Sequence, residues 1–475
     1  MNRYNRLVSN TALFTAGKFL SKIIVFLMMR LYTSCLTTAQ YGTADLISNT
    51  ANLLIPIACL GIGEGIFRST AAKLEDKEVF FTNGLAILLY GTLGFLVLSP
   101  LLGFIRFFSG YVWLIILYVV VSNIHAVCSQ YLCACGYTKL FAGQGLLNTA
   151  LTVLLNLLFL PVLDMGVMGY VLSVVLADFL TTVFLVVYAK LWRSIKISAL
   201  RPTVMRSMLK FCLPLIPTTV FWWVTSVSDR YLVAFLASPE SNGLYAAAYK
   251  IPTLLIYAVS IFDGAWKLSA ISDSEDEVAR TAFFSRVWRM YTTLGFVGGA
   301  LLILLCKPFA SLLFAEGYSE AWVYIPVLCV ATVFTALDTF LGSVYYTCGK
   351  TVYSLRTAFI GAALNIVLNI LWIPIWGAMG ASIATFVSYF VVFVVRLATI
   401  TKLIPFRQER LRAGVNTVLI CVLAVCMTFT GGHYSGFWWF GAILSFAAVV
   451  LWNISDVMRL VGGVLGMAKK MLKRN

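Results

Sequence analysis

Charge is what this sequence has least of. Only 11% of its 475 residues are Asp, Glu, Lys or Arg, where a soluble domain carries about 25%. That scarcity excludes an ordinary water-soluble globule. The chain is instead 61% hydrophobic, in long runs that recur from end to end, so a polytopic membrane protein is expected. The runs lack period-2 alternation, which excludes a barrel and leaves helices. Histidine is nearly missing: His125 and His433 are the two, and no His-x-x-x-His pair exists. The eleven cysteines are scattered, and Cys133-x-Cys135 has the wrong spacing for a zinc or redox motif. No metal and no cofactor is expected. A complete nucleotide loop is also lacking. Gly349-Lys350-Thr351 resembles the end of a P-loop, but the required first glycine falls at Val344. Gly61-x-Gly63-x-Gly65 lies inside an apolar run and reads as close helix packing. There is no Gly-x-Ser-x-Gly and no loop-borne carboxylate cluster, and the outer loops are short. These gaps argue against an enzyme. The first apolar run is too long for a signal-peptide core and lacks a small-residue cleavage site, so no cleaved signal is expected.

What is present is a series of spans. Fourteen are predicted: 9–35, 41–69, 80–104, 110–134, 140–162, 166–190, 208–237, 243–270, 283–306, 321–347, 352–375, 377–400, 413–431 and 434–460. The net charge of +16 follows the loops. With the N-terminus inside, 27 of the 35 Lys and Arg fall on cytoplasmic segments, against Arg106 and Lys307 outside. That asymmetry is the positive-inside pattern for an even number of spans with both termini cytoplasmic. The basic charge orients the chain and meets acidic lipid, so nucleic acid is not an expected partner.

The chain also repeats itself. Cys135-Gly136, Asn156 and Pro161 match Cys348-Gly349, Asn369 and Pro374 at one offset. Gly166-x-x-Gly169 matches Gly377-x-x-Gly380 two residues out of that register. Earlier, Arg30, Gly42 and Glu64-x-x-x-Arg68 match Arg230, Gly243 and Asp263-x-x-x-Lys267. Each copy holds six spans, and an even number gives both copies one orientation. Parallel repeats of this kind are a transporter architecture with the site between the halves. The predicted organisation is an N-lobe over 1–192, a cytoplasmic linker over 193–207, a C-lobe over 208–401, a cytoplasmic loop over 402–412, and two further helices with a basic tail over 413–475.

Ionisable residues at membrane depth cost at least about 2.5–3.5 kcal/mol each, so they are functional candidates by default. The first span carries Lys18, Lys22 and Arg30 and no acid. At about 100° per residue, all three share one side of the helix. That cationic surplus suits an anionic ligand; snorkelling of Lys18 to the inner surface is the alternative. The second span has Asp45, Glu64 and Arg68; the seventh has Asp229 and Arg230; the eighth has Lys250, Asp263 and Lys267. Asp178 and Asp338 are single acids on the sixth and tenth spans. These acids are the coupling candidates. Glu64/Arg68 and Asp263/Lys267 are also well spaced for intrahelical pairs, and Asp229, Arg230 and Lys250 lie at similar depth. Trp222, Trp223, Tyr245 and Tyr249 surround the same region, as cavity lining or as packing. Pro56, Pro214 and Pro217 are expected to kink their helices.

Fourteen spans, two parallel six-helix copies, Gln40-Tyr41-Gly42 after the first span and Gly243-Leu244-Tyr245-Ala246-Ala247 in the second copy resemble a known group. They are similar to the oligosaccharide flippases of the multidrug/oligosaccharidyl-lipid/polysaccharide exporter superfamily, the Wzx-type polysaccharide-biosynthesis proteins above all. The resemblance covers nearly the whole chain without one specific motif. It implies an all-α protein with two six-helix lobes around a central cavity. It implies a polyprenyl-diphosphate-linked oligosaccharide moved to the outer leaflet of a bacterial or archaeal cytoplasmic membrane by alternating access. A transporter without a nucleotide loop is expected to run on an ion gradient (H+ or Na+), the membrane potential or the substrate gradient, and a monomer is expected. In the related lipid II flippases, basic residues on the first helix face the cavity, and Lys18, Lys22 and Arg30 match by helix. Wzx-type proteins usually have twelve spans, so the extra two keep a lipid II flippase as an alternative, with an ion-coupled multidrug exporter behind it.

Overall fold

The computed structural model describes residues 24, 26–72, 76–272, 277–347, 351–400, 406–432, 434–459 and 462. The described residues form helices and no strand. In chain order these are α1 Met29–Cys35, α2 Thr38–Ala58, α3 Ile62–Ala72, α4 Lys77–Leu98, α5 Val112–Ala134, α6 Thr138–Phe159, α7 Gly166–Tyr188, α8 Pro202–Cys212 and α9 Leu215–Leu236. There follow α10 Pro239–Ser272, α11 Glu277–Leu304, α12 Cys306–Leu313, α13 Ile325–Thr347, α14 Thr351–Trp376, α15 Ala378–Ile400, α16 Arg410–Phe429 and α17 Ser435–Trp452. Among the described residues, eleven helices are long and apolar enough to cross a membrane, or twelve if the bent pair α2/α3 is one span. Each predicted span from the second onward coincides with a helix or a consecutive pair. Most of the first, with Lys18 and Lys22, lies outside the described residues.

The chain forms two compact units, residues 1–228 and 229–475, with the boundary inside α9. In the first, α2 starts at a capping box: Thr37 Oγ1 accepts from Gln40 N–H (3.2 Å), and Gln40 Oε1 accepts from Thr37 N–H (3.0 Å). Gln40 of the Gln-Tyr-Gly motif therefore fixes where α2 begins. The helix ends two residues after Pro56, and α3 continues at 51° to it. Gly61 N–H donates to Pro56 O and Leu60 N–H to Ile57 O, with Leu60 at φ 51; this closes the helix as a left-handed C-cap does. The expected kink at Pro56 is thus a clean break. The expected kink near Pro214 is also a break, between α8 and α9.

Lipid is as apolar as leucine, so helices associate in it by close packing over small residues. A Cβ on Gly65 would fall 2.5 Å from Cys212 Sγ, and one on Gly84 2.4 Å from Ile66 Cδ1. The Gly61-x-Gly63-x-Gly65 run is a packing surface, as its sequence predicts. Ile62, Ile66, Phe81, Tyr131 and Cys212 join one buried cluster there, with Phe81 stacked on Tyr131 at 4.1 Å. The segment before α8 is tied to α4. Asn83 donates to Ala199 O (2.8 Å) and accepts from Arg201 N–H (2.9 Å), and Thr82 accepts from Lys196 N–H (3.0 Å). In the second unit Trp288 is the hub. It packs on Phe340, Phe393 and Phe406, and its indole N–H donates to Gln408 O (2.9 Å).

Candidate functional site

In the first unit, polar groups converge on Asp178 of α7. Ser122 of α5 donates to Asp178 Oδ2 (2.5 Å) and Asn148 of α6 to Oδ1 (2.8 Å). Thr182, one turn on, donates to Asp178 O (2.6 Å) and lies 3.3 Å from His125 Nδ1. Donors from two neighbouring helices thus satisfy one carboxylate within the apolar run, where an unpaired charge is costly. Asp45 of α2 is buried and accepts from Asn49 Nδ2 at 3.0 Å. Trp223 donates to Asn49 O (2.9 Å). Glu64 is exposed on α3. Arg68 does not pair with it among the described residues; its guanidinium lies 4.1 Å from the centre of the Phe211 ring. Arg30 is exposed on α1.

In the second unit, Asp229 of α9 is buried. Its Oδ2 accepts from Tyr245 Oη of α10 (2.5 Å) and Thr385 Oγ1 of α15 (3.4 Å), and its Oδ1 from Arg230 N–H (2.9 Å). Asn365 of α14 donates to Thr385 (3.3 Å), and Asn369 to Asn365 Oδ1 (2.9 Å). The Arg230 guanidinium carbon lies 5.3 Å from the Tyr249 ring centre, within cation–π range. The structure therefore joins four of the predicted residues, Asp229, Arg230, Tyr245 and Tyr249, and adds Thr385, Asn365 and Asn369. Lys250 is half-buried one position beyond Tyr249. The side chains of Trp222 and Asp263 lie outside the described residues.

A second buried centre was not anticipated. Arg396 of α15, counted among the cytoplasmic cations, is only 4% exposed. It donates through Nη1 to Asp338 O of α13 (2.5 Å) and through Nε to Thr357 Oγ1 of α14 (3.0 Å). Gly342 makes the room, since a Cβ there would stand 3.0 Å from Arg396 Nη1. Asp338 is 4% exposed, and its carboxylate accepts no hydrogen bond among the described residues. The sequence signal was available: intramembrane Asn, Thr and Arg at helical spacing across α14 and α15.

This arrangement is an all-α, multi-pass membrane protein in which neutral donors hold the carboxylates of Asp45, Asp178 and Asp229. The chain belongs to the polysaccharide biosynthesis protein family, whose model matches residues 7–266, more than half of it. It shares its fold with lipid II flippase MurJ in an inward closed conformation, at 16% identity and a TM-score of 0.64, covering 95% of this chain and 99% of that one. An inward-facing multidrug resistance MATE family transporter of the MOP superfamily matches at 14% identity and a TM-score of 0.63, over 80% of this chain and 95% of that one. An uncharacterized membrane protein of Methanocaldococcus jannaschii, MJ1068, is 29% identical over 94 residues, 20% of this chain and 18% of that protein. The chain thus matches under a fifth of that relative's length. The family bears out the resemblance to polysaccharide-biosynthesis proteins, and the fold is the one shared with MurJ and the MATE transporter.

Proposed function

We propose that the protein is a flippase that moves a polyprenyl-diphosphate-linked oligosaccharide from the cytoplasmic to the outer leaflet by alternating access, for surface polysaccharide assembly. Membership of the polysaccharide biosynthesis family carries this reading. The cationic, acid-free first span supplies its chemistry. A diphosphate is a compact dianion, and Lys18 and Lys22, about one turn apart, suit it while the lipid tail stays in hydrocarbon. Arg30, with Trp222 and Trp223, is the further substrate-binding candidate of the first unit, and Arg230 and Lys250, with Tyr245 and Tyr249, are the candidates of the second. The six-helix copies over 1–192 and 208–401 would be the alternating parts, with a monomer in the cytoplasmic membrane and both termini inside.

Asp229 is the acid best placed to sense a coupling ion, H+ or Na+. Tyr245, Thr385 and the adjacent Asn365 surround it with oxygen and hydroxyl groups. Asp45, Glu64, Asp178, Asp263 and Asp338 are the other coupling candidates. Lipid II is the second substrate reading, favoured by the two helices beyond the twelfth predicted span, α16 and α17. The test is complementation of a strain lacking its oligosaccharide flippase. Lys18→Ala and Lys22→Ala are expected to abolish export at normal protein level, with Arg30→Ala milder. Full activity in all three would remove the first span from the site. Complementation of a lipid II flippase deletion instead would replace the substrate.

A further inference from the structure

We infer that the second unit carries a built site for the phosphate of an anionic membrane lipid, at the end of the molecule where α16 begins and α17 ends. A cavity of about 460 Å³ opens there, lined by Arg289, Arg407, Glu409, Arg410, Leu411, Arg412, Trp452, Ser455 and Asp456. Four arginines face two carboxylates, so the lining is net cationic. The two acids are already engaged. Glu409 pairs with Arg289 of α11 and with Arg412 (3.2 Å), and Asp456 pairs with Arg412 (2.5 Å) and Arg459 (3.3 Å). Arg412 is further fixed by two hydrogen bonds to Asn453 Oδ1, at 2.8 and 3.1 Å. These bonds make a rigid floor.

Arg407 and Arg410 are different. Both are exposed, and among the described residues neither has a carboxylate within ion-pair distance. Both are anchored: the Arg407 backbone N–H donates to Ser285 Oγ (2.9 Å), and the Arg410 side chain donates through Nε to Gln408 Oε1 (3.0 Å). The terminal nitrogens of Arg410 and the whole Arg407 guanidinium are left for a ligand. Glu409 makes no side-chain cap on α16, so the positive end of that helix adds to the field. Guanidinium groups match phosphate oxygens in pairs.

The source of the phosphate follows from the rim. Leu411 is 79% and Trp452 50% exposed, apolar groups beside a charged cavity. Tryptophan settles at headgroup level, which sets the cavity at the depth of lipid phosphates. Basic pockets between helix ends are where anionic headgroups bind. Beyond the rim, Leu411, Val418, Val422, Val425 and Phe429, spaced three, four or seven apart, form a row of exposed apolar side chains along one side of α16, a track for an acyl chain.

The experiment uses the full-length protein in detergent, titrated with phosphatidylglycerol and read by native mass spectrometry. Phosphatidylcholine and inorganic phosphate are the parallel probes. Wild type should prefer phosphatidylglycerol to phosphatidylcholine. Arg407→Gln/Arg410→Gln should weaken phosphatidylglycerol by about thirtyfold, at roughly one kcal/mol for each of the two basic residues near the surface. Arg407→Lys/Arg410→Lys should recover part of the loss. Arg193→Gln/Arg201→Gln, a charge-matched exposed pair far along the chain, should leave binding unchanged. Equal binding of both lipids, an unaltered double Gln variant, or an equal loss in the control pair would overturn the site. Displacement of phosphatidylglycerol by millimolar inorganic phosphate would assign the site to a soluble anion and overturn the lipid. Should the double Gln variant fail to fold, the lipid preference and phosphate arms on wild type still decide.

Discussion

Tyr245 holds a carboxylate that has no bulk water to turn to. Asp229 is 4% exposed, and its shortest bond is the 2.5 Å one from the Tyr245 hydroxyl. Removing that donor in Tyr245→Phe leaves Thr385 at 3.4 Å and the Arg230 amide. The expected cost is about 1–3 kcal/mol, the penalty of an under-satisfied buried group. It should appear as a lower thermal midpoint of the purified protein. Asp229→Asn placed on Tyr245→Phe should recover part of the loss, because a neutral amide needs less compensation. An unchanged midpoint in Tyr245→Phe would show that the hydroxyl does not carry the carboxylate. At this scale the sequence was half legible. Asp178, Asp229 and Asp338 stand out because charge in an apolar run is expensive. Their neutral partners Ser122, Asn148, Thr385 and Asn365 do not, because a lone hydroxyl or amide in a helix has its own backbone to bond. Arg396 was misplaced for a geometric reason. It sits about one turn from the end of α15, where a long side chain points outward to water or inward to protein with equal ease.

Among elements, the join of α11, α16 and α17 is held by charge, and Glu409 is its pin. Burial by itself would raise the Glu409 carboxyl, but hydrogen bonds and charge from Arg289 and Arg412 outweigh it and hold the group below the usual carboxylate range. Glu409 precedes α16 and so lies outside the span. With the folded pKa depressed, the stabilisation is complete above the unfolded value, about 4.3, and fades as pH falls through the lower folded value. Glu409→Gln should therefore have a lower midpoint than wild type at neutral pH. The gap should hold down to about pH 5 and close below about pH 4. A gap independent of pH, measured by a fluorescence-detected melt in detergent, would mean that shape rather than charge makes the join. The helices themselves were readable because apolar runs of span length have one outcome in lipid. The join was not. Its members lie at 289, 409, 412, 453 and 456, and no local pattern brings such distant positions together. The breaks fell between these extremes: Pro56 announced a distortion, but the left-handed cap at Leu60 and Gly61 set its place.

At the scale of the whole molecule, the question is whether the repeat read from scattered matches is a repeat of structure. The turns before α7 and α15 answer it. Gly166 has φ +55 and Gly377 φ +57, the left-handed region that glycine enters at no steric cost. Three residues later, each second glycine lies against the end of the preceding helix. A Cβ on Gly169 would stand 3.2 Å from Phe159 O and 3.1 Å from its Cβ, and one on Gly380 2.4 Å from Trp372 O. Phe159 and Trp372 are themselves separated by the offset that relates Asn156 to Asn369. Two units that use the same glycine for the same approach have inherited or rebuilt one hairpin. Gly169→Ala and Gly380→Ala should then fail alike, each losing about 1–3 kcal/mol to overpacking. Gly380→Ala should lose more, because its added methyl would meet Trp372 O at 2.4 Å, whereas the nearest atom at Gly169, Met165 Cβ, stands at 2.9 Å. Gly143→Ala on α6, whose added methyl meets nothing within 4 Å, controls for the change itself and should melt at or above wild type, since alanine favours helix over glycine. Melting followed by size-exclusion chromatography of the three variants reads the comparison. If Gly169→Ala melted with Gly143→Ala while Gly380→Ala collapsed, the two hairpins would share a backbone turn without sharing the packing that makes it a repeat.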